Sequence, residues 1–428
     1  MTLRVVAIAD TDSYVKWAAA LLGTRTPEAA ARRGEPAWDV SLLVLETPLV
    51  VSAAQEAAAL AGSGLDAERA ERVRFANLVP RLETLAPDAV VLAARGPLVR
   101  VLAREIGSLD PRPVIVSGLP GISIPATRKA LIYRDQTDAL ILHSHREVRE
   151  FTALAGQTGI DQRFLLATLP FAAHARPDPA HRTAGADLVF APQAKVPAGR
   201  ADRLRVARML VDAARADPSR RVVLKLRGTA GEAQTHVERD AYPALLESVG
   251  GAPANLVVST ESMGRALDTA ACLVTVSSTA AIEAIARGVP VVALDEFGVS
   301  RELINLVFEG SGLFAGAADV IAGRGRQPRP QWLRENYFHA PDEADWRAGV
   351  ERLVELRRSG VLAPRPARRH RGGALRLAWD RKQAIGADDR SLTSALAIVV
   401  GVPTRAVVRF AERTRSRLAG GSMDAHSV

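Results

Sequence analysis

The sequence is poor in cysteine and in aromatic residues, and each shortage excludes a class of protein. One cysteine, Cys272, in 428 residues rules out an internal disulfide, and neither Cys nor His lies near it at metal-ligand spacing. Cys272 lies in an apolar run, as is typical of a buried thiol in a reducing compartment. Aromatic residues make up 4% of the chain, so Ala, Val, Leu and Ile must form the core. Such a core suits helices packed on a parallel sheet.

Long hydrophobic runs are also missing. No segment approaches the roughly 20 apolar residues that cross a bilayer, and the start, MTLRVVAIAD, is too short a run for a secretory signal. Charge is unevenly distributed: residues 359–428 hold 13 Lys and Arg against 5 Asp and Glu, although the whole chain carries only +9. We therefore expect a cytoplasmic protein with a basic tail, either dissolved or peripheral at the inner face of the membrane.

Apolar, strand-like runs alternate with Ala-rich helical stretches in two series of similar length. This pattern predicts an α/β fold with two Rossmann-like lobes, whose parallel sheets face a central cleft, and a basic helical tail at the C-terminus. We expect the first lobe in residues 1–173 and the second in 185–358, with the linker and tail in 359–428. The helical pattern at 345–358 is expected to close the second lobe. Ligands in such sheets bind outside the carboxyl ends of the strands.

The stretch 272–294, CLVTVSSTAAIEAIARGVPVVAL, is the most informative in the second series. A buried strand leads into Ser277, Ser278 and Thr279, which open a helix, and Glu283 follows one turn later. Hydroxyls and backbone N–H groups at a helix start favour an anion, and the carboxylate suits a ribose diol. An ordinary helix cap with a solvated glutamate explains the same residues.

This arrangement resembles the donor-site segment of GT-B glycosyltransferases, notably the bacterial capsule-polysaccharide, sialyl- and Kdo-type transferases. The resemblance implies a nucleotide-sugar donor on the second lobe and a glycan or lipid-linked saccharide acceptor on the first, in cell-surface polysaccharide synthesis. It also implies that donor phosphates are bound without a tightly held metal. No cofactor is expected, and the first strand lacks the Gly-x-Gly-x-x-Gly turn of a dinucleotide site.

Two more segments fit the same family at strand ends. Gln193 and Lys195 follow the first strand of the second series, and Lys225 and Arg227 follow the next. The family pattern there is Lys-x-His-Pro, and this chain has Arg227-Gly228 instead of His-Pro. Arg227 can bind phosphate but cannot donate a proton, so a mechanism that needs this histidine is in doubt. A strand-end glutamine and solvated cations are the alternative interpretation.

In the first series, the run 9–17, ADTDSYVKW, leads from the first strand into the first helix. Asp10 and Asp12 alternate about the strand terminus, so we favour Asp12 as the base that deprotonates an acceptor and assign Asp10 a structural role. Ser13 and Lys16 are expected in the cleft, where a cation steadies departing charge. Asp12 or Ser13 is equally able to cap the helix.

Three further residues are expected to line the acceptor side, because they follow strands of the first series. They are Ser117, Gly118 and His143. Turn chemistry alone also explains the Ser-Gly pair. His143 and His145 are two residues apart and lack further ligands, so no metal site is predicted.

The tail carries a basic stripe, Arg405, Arg409, Arg413 and Arg417, beside an apolar one in the helical pattern at 403–418. Such a helix suits an anionic membrane surface; packing on a lobe is the alternative. Nucleic acid is not expected as a partner, because the tail lacks interleaved aromatic residues. Two other functions stay open: a nucleotide-sugar 2-epimerase of the same architecture, and a non-catalytic binding protein. The epimerase turn Gly-Thr-Arg-Pro-Glu has a near match only at 23–28, after the first helix.

Overall fold

Two sheets with only parallel strand pairs organise the chain, one in each lobe. The computed structural model describes residues 2–49, 51–173, 185–194, 196–226, 240–366, 373–389, 391 and 393. The two Rossmann-like lobes confirm the predicted fold class.

The first lobe has a seven-stranded sheet. Its strands are β1 (Arg4–Ala9), β2 (Asp39–Leu45), β3 (Ala70–Val73), β4 (Ala89–Ala93), β5 (Val114–Gly118), β6 (Ala139–Leu142) and β7 (Phe164–Leu166). Its helices are α1 (Asp12–Gly23), α2 (Pro27–Ala31), α3 (Ala53–Leu60), α4 (Phe75–Leu85), α5 (Gly96–Ile106), α6 (Arg128–Ile132), α7 (His145–Thr158) and α8 (Pro170–Ala173). The strand order is β3-β2-β1-β4-β5-β6-β7, so the chain changes direction across the sheet between β1 and β4.

The second lobe repeats this plan with six strands. They are β8 (Asp187–Phe190), β9 (Val222–Lys225), β10 (Leu256–Ser259), β11 (Ala270–Thr275), β12 (Val291–Leu294) and β13 (Phe314–Ala315). The helices are α9 (Arg200–Ala216), α10 (Tyr242–Ser248), α11 (Met263–Asp268), α12 (Ala280–Ala286), α13 (Ala317–Ile321) and α14 (Pro330–Glu335). The order β10-β9-β8-β11-β12-β13 places the change of direction between β8 and β11.

The composition explains why the central strands are parallel and interior. β4 has the sequence AVVLA, and all five residues are buried, as expected for a strand covered by helices on both faces. Several of the scarce aromatic side chains fill the largest interior volumes, including Trp17 and Trp38 in the first lobe and Phe190 in the second. Burying each large side chain contributes about 1.5–3 kcal/mol.

The helix predicted to close the second lobe packs on the first lobe instead. In α15 (Trp346–Arg358), Trp346, Val350, Leu353 and Val354 belong to the core of the first lobe. The Trp346 ring meets Trp38 edge-on, with the ring centroids 5.3 Å apart. The i, i+4, i+7, i+8 spacing shows that α15 has one apolar face, but it carries no information about which lobe that face covers.

A further helix, α16 (Gly373–Ile385), lies within the expected basic tail and packs beside α5. The Arg100 and Arg381 side chains link the two helices by pairing with Asp380 and Glu105. The sequence pattern did not predict a helix at 373–385. The segment 403–418, predicted as a membrane-binding helix, lies outside the described residues. Within the described ranges, no helix combines the length and apolar character needed to cross a bilayer.

Candidate active site

The two changes of strand direction mark the crevices where open α/β sheets bind ligands. In the first lobe, Asp10 follows β1 and Arg95 follows β4. Arg95 Nε donates to Asp10 Oδ2 at 2.6 Å, and the Arg95 backbone N–H donates to Asp10 Oδ1 at 3.3 Å. This crevice therefore contains a short ion pair.

The two partners of this pair differ in their surroundings. Asp10 is fully buried, whereas a third of the Arg95 side chain is exposed. Burial raises the pKa of Asp10, and the charge and hydrogen bonds of Arg95 oppose that rise. Asp10 is thus engaged by Arg95 and is not presented to the cleft.

Three polar residues on the first turns of α1 are half-buried at the cleft, namely Asp12, Ser13 and Lys16. Asp12 is the first residue of the helix, and Thr11 is its cap without a side-chain hydrogen bond. Ser13 is half-buried beside Asp12. Lys16 follows Asp12 by one turn, and its Nζ lies 3.5 Å from Glu283 Oε1 of the second lobe. Asp12 and Lys16 therefore share a helix face.

Ser117, Gly118 and His143 are all interior, contrary to the expectation that they line the acceptor side. The Ser117 hydroxyl donates to the Leu92 carbonyl at 2.7 Å, and a Cβ added at Gly118 would lie 2.3 Å from the Trp17 ring. These strand ends turn their side chains into the lobe.

His143 is committed through both ring nitrogens. Trp17 Nε1 donates to His143 Nε2 at 2.7 Å, so Nδ1 carries the ring proton and donates to the Ala167 carbonyl at 3.0 Å. Burial lowers the pKa of His143 to about 4. The ring is therefore neutral at physiological pH and serves as an internal hydrogen-bond bridge.

The crevice of the second lobe contains a neutral pair. Gln193 follows β8, and Ser277 follows β11. The Ser277 hydroxyl donates to Gln193 Oε1, and Gln193 Nε2 donates to the Ser277 carbonyl at 3.1 Å. Ser278 Oγ accepts from the Ala280 backbone N–H at 3.2 Å, and Thr279 precedes α12 without a side-chain cap bond. Of the three hydroxyl residues, Ser277 and Ser278 are therefore buried, and only Thr279 is half-exposed at the start of α12.

The predicted cations of the second lobe are only partly described. Lys225 ends β9, is buried, and donates to the Leu226 carbonyl through Nζ. Lys195 and Arg227 lie outside the described residues. The structure thus places Lys225 on the same carboxyl edge as Gln193 and Ser277.

The lobes approach each other at the first turns of α12. Glu283 meets Lys16, and a Cβ added at Gly121, in the loop after β5, would lie 2.7 Å from Thr279 Cγ2. Thr279 and Glu283 are four residues apart and therefore lie on one face of α12. That face points towards the first lobe.

Sequence reasoning missed Arg95 and Arg134. Arg134 is buried, and its guanidinium donates to Ser117 Oγ, the Tyr14 hydroxyl and the Ala94 carbonyl. Arg134 therefore connects α1 to the ends of β4 and β5 through hydrogen bonds. Arg95 was detectable, because it follows an apolar strand and precedes Gly96-Pro97, a typical helix start. Nothing local distinguishes Arg134 from the many exposed arginines.

A buried carboxyl group links the lobes away from this edge. Glu147 on α7 accepts from the Tyr337 hydroxyl at 2.8 Å and from the His143 backbone N–H at 2.8 Å. Burial raises the pKa of Glu147, and these hydrogen bonds oppose the rise. In the part of the chain that the structure describes, no three His, Cys, Asp or Glu side chains are grouped to hold a metal ion.

Two facing Rossmann-like lobes, with polar groups at both crevices, define the GT-B-like class of two-lobed α/β proteins. The chain matches the family model "Putative glycosyltransferase (DUF6716)" over residues 5–353. It belongs to this family, and the match confirms the predicted glycosyltransferase class. No curated protein matches the chain significantly.

Solved structures share the fold at low identity. The S. aureus MnaA–UDP co-structure is 9% identical with a TM-score of 0.52, covering 86% of this chain and 99% of that one. Methanocaldococcus jannaschii UDP-GlcNAc 2-epimerase, in complex with UDP-GlcNAc and UDP, is 12% identical with a TM-score of 0.51, covering 84% and 100%. Glycyrrhiza uralensis UGT73P12, complexed with glycyrrhetinic acid 3-O-monoglucuronide, is 8% identical with a TM-score of 0.46, covering both chains fully.

Proposed function

We propose that the protein transfers a sugar from a nucleotide-sugar donor, bound on the second lobe, to an acceptor hydroxyl on the first. The single observation that carries this proposal is the cross-cleft approach of α12 to α1. Glu283 contacts Lys16, one turn from Asp12, and Thr279 approaches Gly121 in the loop after β5, so both ends of this face of α12 adjoin the first lobe. The family match supports the reaction class.

The donor phosphates lie against the hydroxyls of Ser278 and Thr279, with positive charge from Lys225 and Arg227. Lys195 adds a third cation, and the Gln193–Ser277 pair holds the strand ends in place. Glu283 accepts hydrogen bonds from the ribose hydroxyls. Because these cations compensate the phosphate charge, no tightly bound metal is needed.

Asp12 acts as the general base on the acceptor. The acceptor oxygen forms a bond to the anomeric carbon while the bond from that carbon to the phosphate oxygen breaks. The leaving nucleotide takes the electron pair, and Asp12 takes the acceptor proton. Arg227 cannot supply a proton to the leaving group, because a guanidinium stays charged.

The acceptor is a glycan or a lipid-linked saccharide in cell-surface polysaccharide synthesis. The basic stripe at 403–418 would hold the enzyme at an anionic inner membrane surface, each cation near the surface contributing about 1 kcal/mol. Flotation with anionic vesicles tests this part. The full chain should float, a 1–393 truncation that keeps α16 should not, and equal partitioning would contradict membrane binding.

A nucleotide-sugar 2-epimerase is the second candidate, favoured by the fold shared with the M. jannaschii enzyme. Against it, α1 ends at Gly23, so the near match to the epimerase turn at 23–28 begins at the far end of the helix from the strand. The strand end carries Asp10 and Asp12 instead.

One experiment separates these functions. A thermal-shift screen with CMP, UDP, GDP and CDP identifies the nucleotide, since ligand at 100 times Kd stabilises by about 2.7 kcal/mol. Incubation with nucleotide sugars of that base then shows the reaction. Release of the nucleotide supports the transferase, an epimerised donor supports the epimerase, and an unchanged donor supports a binding protein.

A further inference from the structure

We propose that Lys16 changes partner during the reaction. Before the donor binds, Lys16 pairs with Glu283; once the donor is bound, Lys16 pairs with the departing phosphate. This inference rests on the proposed function and assigns to the first lobe the cation that stabilises the leaving group. Lys16 and Glu283 are on opposite lobes, and Nζ and Oε1 are 3.5 Å apart.

A bound ligand can break the ion pair between Lys16 and Glu283. The Lys16 side chain is 44% exposed, whereas that of Glu283 is 15% exposed. Water and salt screen such a half-exposed pair, so it adds little stability. The Glu283 side chain is the more buried of the two, whereas Lys16 has a flexible four-carbon stem. Lys16 is therefore the partner that moves.

The geometry of α12 indicates where it moves. Thr279 and Glu283 are one helical turn apart on the face towards the first lobe, which places their Cβ atoms about 5–6 Å apart. A phosphate at Thr279 and a ribose at Glu283 are thus neighbouring occupants of one face. A change of side-chain rotamer carries the Lys16 ammonium group over such a distance.

The exchange couples binding to chemistry. When the ribose hydroxyls donate to Glu283, the Glu283 charge is satisfied and Lys16 turns to the phosphate. As the bond between the anomeric carbon and the phosphate oxygen breaks, the electron pair stays on that oxygen beside the Lys16 ammonium. Lys16 keeps its proton throughout, and the acceptor proton goes to Asp12.

The test compares how Lys16→Gln changes the binding of a nucleotide and of its nucleoside. The probes are UDP, GDP, CDP and CMP with uridine, guanosine and cytidine, titrated by calorimetry into the full-length protein. The variant should bind the preferred nucleotide about 10-fold or more weakly, because a charged hydrogen bond to phosphate is lost. It should bind the matching nucleoside up to about fivefold more tightly, because Glu283 no longer has a competing partner.

Two further variants sharpen the result. Lys16→Arg keeps the charge and should recover part of the nucleotide affinity. Lys129→Gln makes the same charge change at an exposed residue of α6 and should alter neither affinity.

Opposite shifts for nucleotide and nucleoside support the exchange. Shifts in the same direction, or no shift, overturn the exchange. The proposed function still stands in that case if the wild-type protein binds the nucleotide and Glu283→Ala weakens that binding. Absence of nucleotide binding to the wild-type protein would overturn both.

Discussion

The crevices of the two lobes occupy equivalent places in their sheets, but one contains an ion pair and the other an uncharged hydrogen-bonded pair. In the first, a buried Asp10 is paired with Arg95; in the second, Gln193 and Ser277 form a neutral pair. Under the proposed function, the donor diphosphate brings its own negative charge to the second lobe, where a neutral pair does not repel it. The acceptor hydroxyl is neutral, so the first lobe can hold carboxylates. The contrast between the two pairs is consistent with that proposal.

The largest expected effect is on turnover at the first lobe. Asp12→Asn should lower turnover by roughly 10²–10⁴, because the general base is lost while the nucleotide contacts remain. Steady-state turnover with the donor found in the screen measures this effect, and calorimetry checks that nucleotide affinity is nearly unchanged.

Unchanged turnover would remove Asp12 from the mechanism. A large loss of thermal stability with unchanged chemistry per folded molecule would show instead that Asp12 stabilises the first turn of α1.

The second prediction compares the two crevices directly through stability. Asp10→Ala leaves the Arg95 guanidinium without its counter-charge and should cost about 2–3 kcal/mol of unfolding free energy. Gln193→Ala breaks a neutral pair and should cost about 1 kcal/mol. Urea denaturation of both variants measures the difference, and equal losses would contradict the contrast between the crevices.

A third prediction concerns pH and His143, which is buried at the end of β6 in the first lobe. Its pKa is lowered by burial to about 4 in the folded protein, against an ordinary histidine pKa of 6.5. The unfolded chain therefore binds a proton that the folded chain does not, and stability falls as pH falls through that window. Between pH 6.5 and 5 the loss from His143 alone is about 1.5 kcal/mol.

His143→Gln should reduce this acid sensitivity, although it lowers stability at neutral pH. Denaturation midpoints at several pH values give the comparison. An identical pH dependence in the variant would show that His143 is not the source.

The sequence predicted the strand ends well and the directions of their side chains poorly. Apolar runs followed by Asp10, Gln193, Lys225 and Ser277 placed all four at carboxyl edges, because the strands are buried and continuous. Ser117 and His143 also follow strands, yet they turn inward, since that direction depends on how α1 and Arg134 pack. The packing of α15 on the first lobe could not be predicted from the sequence pattern either, because an apolar helix face does not specify which core it covers.

Calorimetric titration of Glu283→Ala and Lys225→Ala with the nucleotide from the screen tests whether the donor binds on the second lobe. Both variants should bind the nucleotide more weakly by roughly 10- to 150-fold, since a charged hydrogen bond to the ligand contributes about 1.5–3 kcal/mol. Glu247→Ala, at an exposed residue of α10, should bind like the wild type. Unchanged affinity in both test variants would contradict the assignment of the donor to the second lobe.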